Sequence, residues 1–297
     1  MDATAASVGV VLSSAIERLR VAGSPTPRLD AEVLVAHVSG RDRSWVLAHS
    51  EAALSADMRS ALASALDRRA AGEPVAYIRG FKEWHSLRIR TDARALIPRP
   101  ETELLADASV AEVLSRLATR DAAVVAWDVG TGSGAVALVL ALELRDAIAG
   151  GLVRLVATDA SPQALELAAE NLAAHGIADR VTVVQADLLT PAGDALPRPD
   201  VVVANLPYVA SAEVDARQGS LGFEPRAALD GGPDGLAILR RLFEQLPSRA
   251  APGATVLLET GVDQAGTIAA LAAPGSATSI VPDLVGIDRV LRLQLPD

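Results

Sequence analysis

The stretch Val124-Val125-Ala126-Trp127-Asp128-Val129-Gly130-Thr131-Gly132-Ser133-Gly134-Ala135 decides the fold. Val124 to Val129 is a short apolar run of the kind that forms a buried strand. Three glycines in the next five residues let the backbone turn sharply and approach a ligand with no side chain between. A helix opens near Ala135. A strand, a glycine-rich turn and a helix make the unit from which open parallel sheets are wound. Gly130, Gly132 and Ala135 also satisfy the looser dinucleotide fingerprint, so the turn alone leaves the ligand open.

Downstream the same alternation repeats. Leu152 to Thr158 reads as a second strand, and Ser161-Pro162 opens a helix with a cap and a proline at its first position. Val181 to Val184, Val201 to Ala204 and Thr255 to Leu258 are further strands, with a helix around Leu236 to Leu246 before the last of them. Ser279 to Pro282 and Arg289 to Leu295 read as strands joined too tightly for a crossover helix. The final strand is therefore expected to be antiparallel. The expected fold is α/β: a doubly wound, Rossmann-like sheet with ligands at the carboxyl ends of its strands.

Upstream, residues 1–74 show helical periods only. Val10, Leu12, Ile16 and Leu19 share a helical face, Leu29 to Val38 forms a second run, and Ser44 to Leu47 a short third. Ser55 is placed to cap a longer helix that Gly72 and Pro74 end. This predicts a small helical bundle. Residues 75–98 are expected to form a linking hairpin, from the Tyr77-Ile78 run before Gly80 and the alternating Leu87-Arg88-Ile89-Arg90. Pro98 and Pro100 then precede a helix starting near Glu101, within a domain spanning 99–297.

The chain has 297 residues, half of them hydrophobic, enough for one large domain and one smaller. Its 27 Lys and Arg against 37 Asp and Glu leave a charge of −10, which argues against direct nucleic acid binding. With no cysteine, thiolate nucleophiles and Cys-based zinc sites are excluded. His37, His49, His85 and His175 show no metal-ligand spacing, so no metal is expected. Met1 to Gly9 lacks a signal-peptide pattern, and no apolar run reaches membrane-spanning length. A cytoplasmic monomer with no membrane association is the expectation.

Three acids end three successive strands. Asp128 precedes the glycine loop Gly130-Thr131-Gly132-Ser133-Gly134, where a carboxylate would repel a pyrophosphate but offset the ammonium and sulfonium charges of S-adenosylmethionine. Asp159 is placed to accept ribose hydroxyls. Asp187, beside Leu188, is placed to accept an adenine amino group. Any one of them alone would read as a cap or turn residue; together they describe one elongated, partly cationic ligand across the sheet edge.

Asn205-Leu206-Pro207-Tyr208 follows the Val201 to Ala204 strand and resembles the Asn-Pro-Pro-Tyr motif of methyltransferases that act on planar amino groups. The lone pair of such a nitrogen is delocalised. The Asn205 side-chain carbonyl and the Leu206 backbone carbonyl can each accept one of its N–H bonds, and Tyr208 can stack on its plane. Catalysis would be positioning and electrostatics. Leu206 replaces the commoner proline, although Pro207 still biases it to extended backbone. Asn-Leu-Pro-Tyr also resembles the motif of ribosomal RNA adenine dimethyltransferases, so these four residues do not choose between a glutamine and an adenine.

The choice comes from Gly72-Glu73-Pro74-Val75-Ala76-Tyr77-Ile78, Leu96-Ile97-Pro98-Arg99-Pro100-Glu101-Thr102-Glu103 and Phe223-Glu224-Pro225-Arg226-Ala227-Ala228-Leu229. These runs closely resemble the release factor glutamine methyltransferases (the HemK/PrmC family), over essentially the whole chain. The resemblance implies a methyltransferase that uses S-adenosylmethionine to methylate N5 of the glutamine in the Gly-Gly-Gln loop of peptide chain release factors. It implies that the N-terminal bundle helps engage the factor, and that Gly130 to Gly134, Asp159, Asp187 and Leu188 bind the cofactor. Glu224 and Arg226 would form either an ion pair ordering a loop over the site or a solvated surface pair. The competing readings are an adenine-N6 methyltransferase acting on RNA or DNA and a non-catalytic S-adenosylmethionine-binding module. A nicotinamide dehydrogenase fits least, because no acid or base for hydride transfer stands near the third or fourth strand.

Overall fold

The computed structural model describes residues 6–120, 122–191, 193, 196–217 and 219–297; the first five residues of the Met1 to Gly9 stretch lie outside them. Two compact units divide the chain: Met1–Phe81 with Arg217–Phe223, and Lys82–Ala216 with Glu224–Asp297.

The first unit is helical. Helices α1 (Val8–Val21), α2 (Pro27–Ser39), α3 (Arg43–Ala48), α4 (Ala56–Ala70) and α5 (Val75–Arg79) follow one another. Ser7, Asp42 and Ser55 cap α1, α3 and α4 by accepting backbone N–H groups of the first turns. Apolar side chains such as Leu19, Leu34, Val35, Leu62 and Leu66 meet in one buried cluster. Inside it Arg69 is paired with Asp30 at 2.8 Å.

Tyr77 and Ile78, expected on a strand of the hairpin, lie on α5. Pro74 starts that turn of helix and Gly80, at φ 75°, ends it in the left-handed region. The hairpin is made instead by β1 (Phe81–Trp84) and β2 (Leu87–Arg90). Its connection, His85-Ser86, has φ of 50° and 58°, as a two-residue turn of matching twist demands. The period-2 pattern of the first strand was hidden because it is four residues long, FKEW, with its burial confined to Trp84.

The second unit continues through α6 (Thr102–Leu117), β3 (Val124–Val129), α7 (Ala135–Glu143), α8 (Arg145–Ala149), β4 (Val153–Asp159), α9 (Pro162–Ala174), β5 (Val181–Asp187), β6 (Thr190–Pro191) and β7 (Val201–Ala204). It closes with α10 (Ser211–Ala216), α11 (Ala237–Arg249), β8 (Thr255–Glu259), α12 (Ala265–Ala269), β9 (Ala277–Pro282) and β10 (Asp288–Gln294). Eight strands form one sheet in the order β6-β5-β4-β3-β7-β8-β10-β9. β3, β4, β5, β7 and β8 are mutually parallel, whereas β10 runs antiparallel to both β8 and β9, as the short connection requires.

Alternate residues of each strand point to opposite faces, so the sheet carries two cores. Val124, Ala126, Leu155, Val201 and Leu257 pack with Leu105 of α6 and Leu138 and Leu140 of α7. Val125, Trp127, Val156, Val202 and Val256 pack with Leu239, Leu242 and Leu246 of α11. Helices on both faces leave the carboxyl ends of β3, β4, β5 and β7 as the open edge.

Candidate active site

A cavity of about 280 Å³ lies at that edge. In the register, Val129 of β3 stands between Thr158 of β4 and Ala204 of β7. Topology thus brings the glycine loop, Asp159 and Asn205 to one place. Asp128, Gly130 to Ser133, Asp159, Asp187, Leu188, Asn205, Leu206 and Pro207 all line the cavity. Gly134 and Tyr208 stand beside that lining. Gly134 occupies the cap position of α7, and Tyr208 turns its hydroxyl toward Glu259.

The glycine loop is pinned to its neighbours. The Gly130 and Thr131 N–H groups donate to the Thr158 carbonyl, each at 2.8 Å. Gly130 has φ 73°, and a Cβ there would stand 2.9 Å from Leu206 Cδ2. Gly134 has φ 78°, and a Cβ there would meet Ala168 of α9 at 3.0 Å. Glycine is needed at both positions for conformation and for space.

Asp128 is buried and accepts from the Thr131 hydroxyl at 2.7 Å and the Ala137 N–H at 3.0 Å. Burial pushes its carboxyl up to about 6, against the pull of those hydrogen bonds and with help from the Asp159 charge. Asp159 accepts from the Gly132 N–H and the Ser161 N–H, each at 2.9 Å, so one carboxylate ties the loop to the start of α9. Burial raises its carboxyl too. Asp187 is more exposed and ion-paired with Arg241 of α11. Leu188 holds a left-handed φ of 58°, a strained conformation for a branched side chain at the cavity wall.

The two carboxylates, Asp128 buried and Asp159 half-buried, are held by hydroxyl and N–H donors and line the cavity, which suits a ligand with both cationic and hydroxyl groups. That lining fits S-adenosylmethionine, which carries positive charge on its ammonium and sulfonium and hydroxyls on its ribose.

Glu224 is paired differently from the expectation. It is buried, takes the Arg99 guanidinium at 2.6 Å and accepts the Ile97 N–H at 3.1 Å. Arg226 pairs with Asp215 and with Asp230 instead. Arg226 opens a short helical turn, Arg226–Ala228, after the extended Pro225, and its guanidinium is taken by Asp215 and Asp230, while the buried Glu224 carboxylate takes Arg99. Glu103 accepts the His85 N–H at 2.9 Å, which ties α6 to the hairpin. Trp127 is core, 2% exposed.

Thr102 and Glu259 escaped the sequence reading. Asn205 Nδ2 donates to Thr102 Oγ1 at 3.1 Å, and the Thr102 hydroxyl donates to Glu259 Oε2 at 2.6 Å. The Tyr208 hydroxyl donates to Glu259 Oε1 at 3.4 Å. Burial and the adjacent Glu259 carboxylate push the Tyr208 phenol up to about 12, so it stays protonated. The available signal was positional: Glu259 ends its strand as Asp159 and Asp187 end theirs.

The family described as PrmC N-terminal domain matches residues 11–80, and that described as methyltransferase small domain matches residues 105–220. A release factor glutamine methyltransferase of Moorella thermoacetica is 40% identical over 94% of this chain and 95% of its own length. The Neisseria gonorrhoeae protein of the same name is 38% identical over 90% of this chain and 93% of its own. Among solved structures, the hMettl16 catalytic domain in complex with a MAT2A 3'UTR hairpin shares the fold, with a TM-score of 0.50, at 15% identity over 78% of this chain and 82% of that one. With relatives this similar along almost its entire length, the chain belongs to the release factor glutamine methyltransferases, a family of S-adenosylmethionine-dependent enzymes.

Proposed function

We propose that the chain methylates N5 of the glutamine in the Gly-Gly-Gln motif of peptide chain release factors. The supporting observation is the placement of Asn205-Leu206-Pro207 on the wall of the cavity that also holds the glycine loop and Asp159. The names of the relatives at 35–40% identity point to the same substrate.

When bound, S-adenosylmethionine supplies an electrophilic methyl group on a sulfonium. The chain's own work is to hold a weak nucleophile in line with it. The Asn205 side-chain carbonyl and the Leu206 backbone carbonyl accept the two N–H bonds of the glutamine amide. That orients the nitrogen and favours its pyramidal form, while Tyr208 packs on the amide plane. As the nitrogen gains the methyl carbon, the carbon–sulfur bond would break with its electron pair left on a neutral thioether, and the nitrogen would give up one of its two protons to solvent. Residues 1–74 engage the factor, 75–98 link, and 99–297 carry the chemistry.

Purified protein is incubated with labelled S-adenosylmethionine and, in separate tubes, a release factor and ribosomal RNA. Mass spectrometry of the digested factor locates any added methyl group. Label on the Gly-Gly-Gln glutamine is expected. Label on adenine in the RNA alone would replace this reading with the nucleic acid one.

A further inference from the structure

Asparagine can offer a ligand either its carbonyl or its NH2, and only the carbonyl accepts an N–H. Which one Asn205 offers depends on what holds the other end. Its NH2 is held by Thr102 Oγ1, whose own proton goes to Glu259. An ionised carboxylate accepts only, so Thr102 has just one proton and must spend it on Glu259. The lone pair it turns to Asn205 then demands the NH2 there, which sends Oδ1 the other way. Thr102 and Glu259 are 5% and 3% exposed, so a lost partner costs more here than at the surface.

We infer that Thr102 and Glu259 are positioning residues, holding the Asn205 amide with Oδ1 presented to the N–H of the substrate. This rests on the glutamine reading above. The device is directional. If Glu259 takes up a proton, it donates to Thr102, whose hydroxyl is then free to donate to Asn205 and to favour the flipped amide. The groups facing Glu259 are Glu101 and Thr102 at the start of α6, Tyr208 after β7, and Arg289 on β10. Burial and the Glu101 charge raise the Glu259 carboxyl above its ordinary value, outweighing Arg289 and the hydroxyls. The flip therefore sets in at a higher pH than an exposed glutamate would allow.

Asn171 and Asn205 are the two asparagines in the chain, so asparagine-specific 15N labelling of the full-length protein reports on both side-chain amides. Asn171 is held by the backbone of Arg90 and Ser133 and serves as reference. The Asn205 NH2 signals are expected to titrate in the unmodified protein, to stop titrating in Glu259→Gln, and to shift in Thr102→Val while Asn171 stays put. In methyl transfer to a release factor, Thr102→Val should lower kcat by roughly 100-fold, the size of a misplaced reacting group, with little change in KM for the cofactor. Thr102→Ser should recover most of that loss. Glu259→Gln keeps a carbonyl acceptor for Thr102 and removes only the titration, so it should hold kcat steady at low pH where the unmodified protein loses it, and it carries the test if the valine variant fails to fold. Unchanged kcat in Thr102→Val, or Asn205 signals that still titrate in Glu259→Gln, would overturn the inference. Titrating Asn205 signals with no transfer to the factor would uphold the amide orientation and sink the glutamine reading instead.

Discussion

Arg99 and Glu224, 125 residues apart in the chain, meet in a 2.6 Å ion pair beside the cavity. Arg99 stands in the run Leu96 to Glu103 and Glu224 in the run Phe223 to Leu229, and the contact joins the two. The carboxylate is buried; the guanidinium is about one-third exposed.

That asymmetry sets the order of two substitutions. Arg99→Ala leaves a buried carboxylate with only the Ile97 N–H and should cost more than Glu224→Ala, which leaves a cation able to reach water. The smaller loss should be about 2 kcal/mol, the scale of a charged hydrogen bond. Urea unfolding of both variants measures the order, and the reverse order would mean that Glu224 is better solvated than its burial implies.

Asp128 links pH to both stability and ligand binding. Its folded value, about 6, lies above the ordinary 3.8, so between those values the folded protein holds a proton that the unfolded chain releases. The contribution of this group to stability therefore falls as pH rises through that window, by about 3 kcal/mol in all. A cationic ligand needs the ionised form, so S-adenosylmethionine should bind more tightly as pH rises from 5 to 7, by at most about tenfold per unit. Calorimetry across that range, with Asp128→Asn expected to flatten the profile, checks it; an equally steep profile in the variant would remove Asp128 from the account.

Asp159 does two jobs at once, tying Gly132 to Ser161 and facing the cavity. Asp159→Ala should weaken cofactor binding by roughly 10- to 100-fold, the equivalent of one charged hydrogen bond. Titration calorimetry gives the affinity directly. A variant with unchanged affinity would confine Asp159 to holding the loop.

Gly130 and Gly23 separate conformation from crowding. Both have positive φ, at 73° and 80°, but a Cβ on Gly23 meets nothing within 4 Å, whereas one on Gly130 meets Leu206 at 2.9 Å. Gly23→Ala should cost about 1 kcal/mol from the backbone alone, and Gly130→Ala more. Adding Leu206→Ala to Gly130→Ala should return the crowding part of the loss but not the conformational part. Thermal melts of the four proteins complete the cycle, and additive losses would show that Leu206 yields freely.

Much of this protein is local in origin and could be read along the chain. The apolar Val124 to Val129 run, the glycines after it and the Ser161-Pro162 cap depend on neighbours within a few residues. So does the reversal of the last strand, since its connection is too short to cross the sheet. Those features determined the alternation of strands and helices, and hence that Asp128, Asp159 and Asp187 fall at the carboxyl ends of strands. Tertiary structure decided what depends on burial between distant segments. Ile78 of the Tyr77-Ile78 run packs on helix α5 into the helical cluster, and the hairpin takes its first strand from Phe81–Trp84 instead. Glu224 chose Arg99 over Arg226 because a buried carboxylate takes the cation that the fold brings to it, whatever stands two residues away. The Asn205–Thr102–Glu259 chain joins the end of β7, the start of α6 and the end of β8. No periodicity connects those positions; only the order of strands in the sheet does.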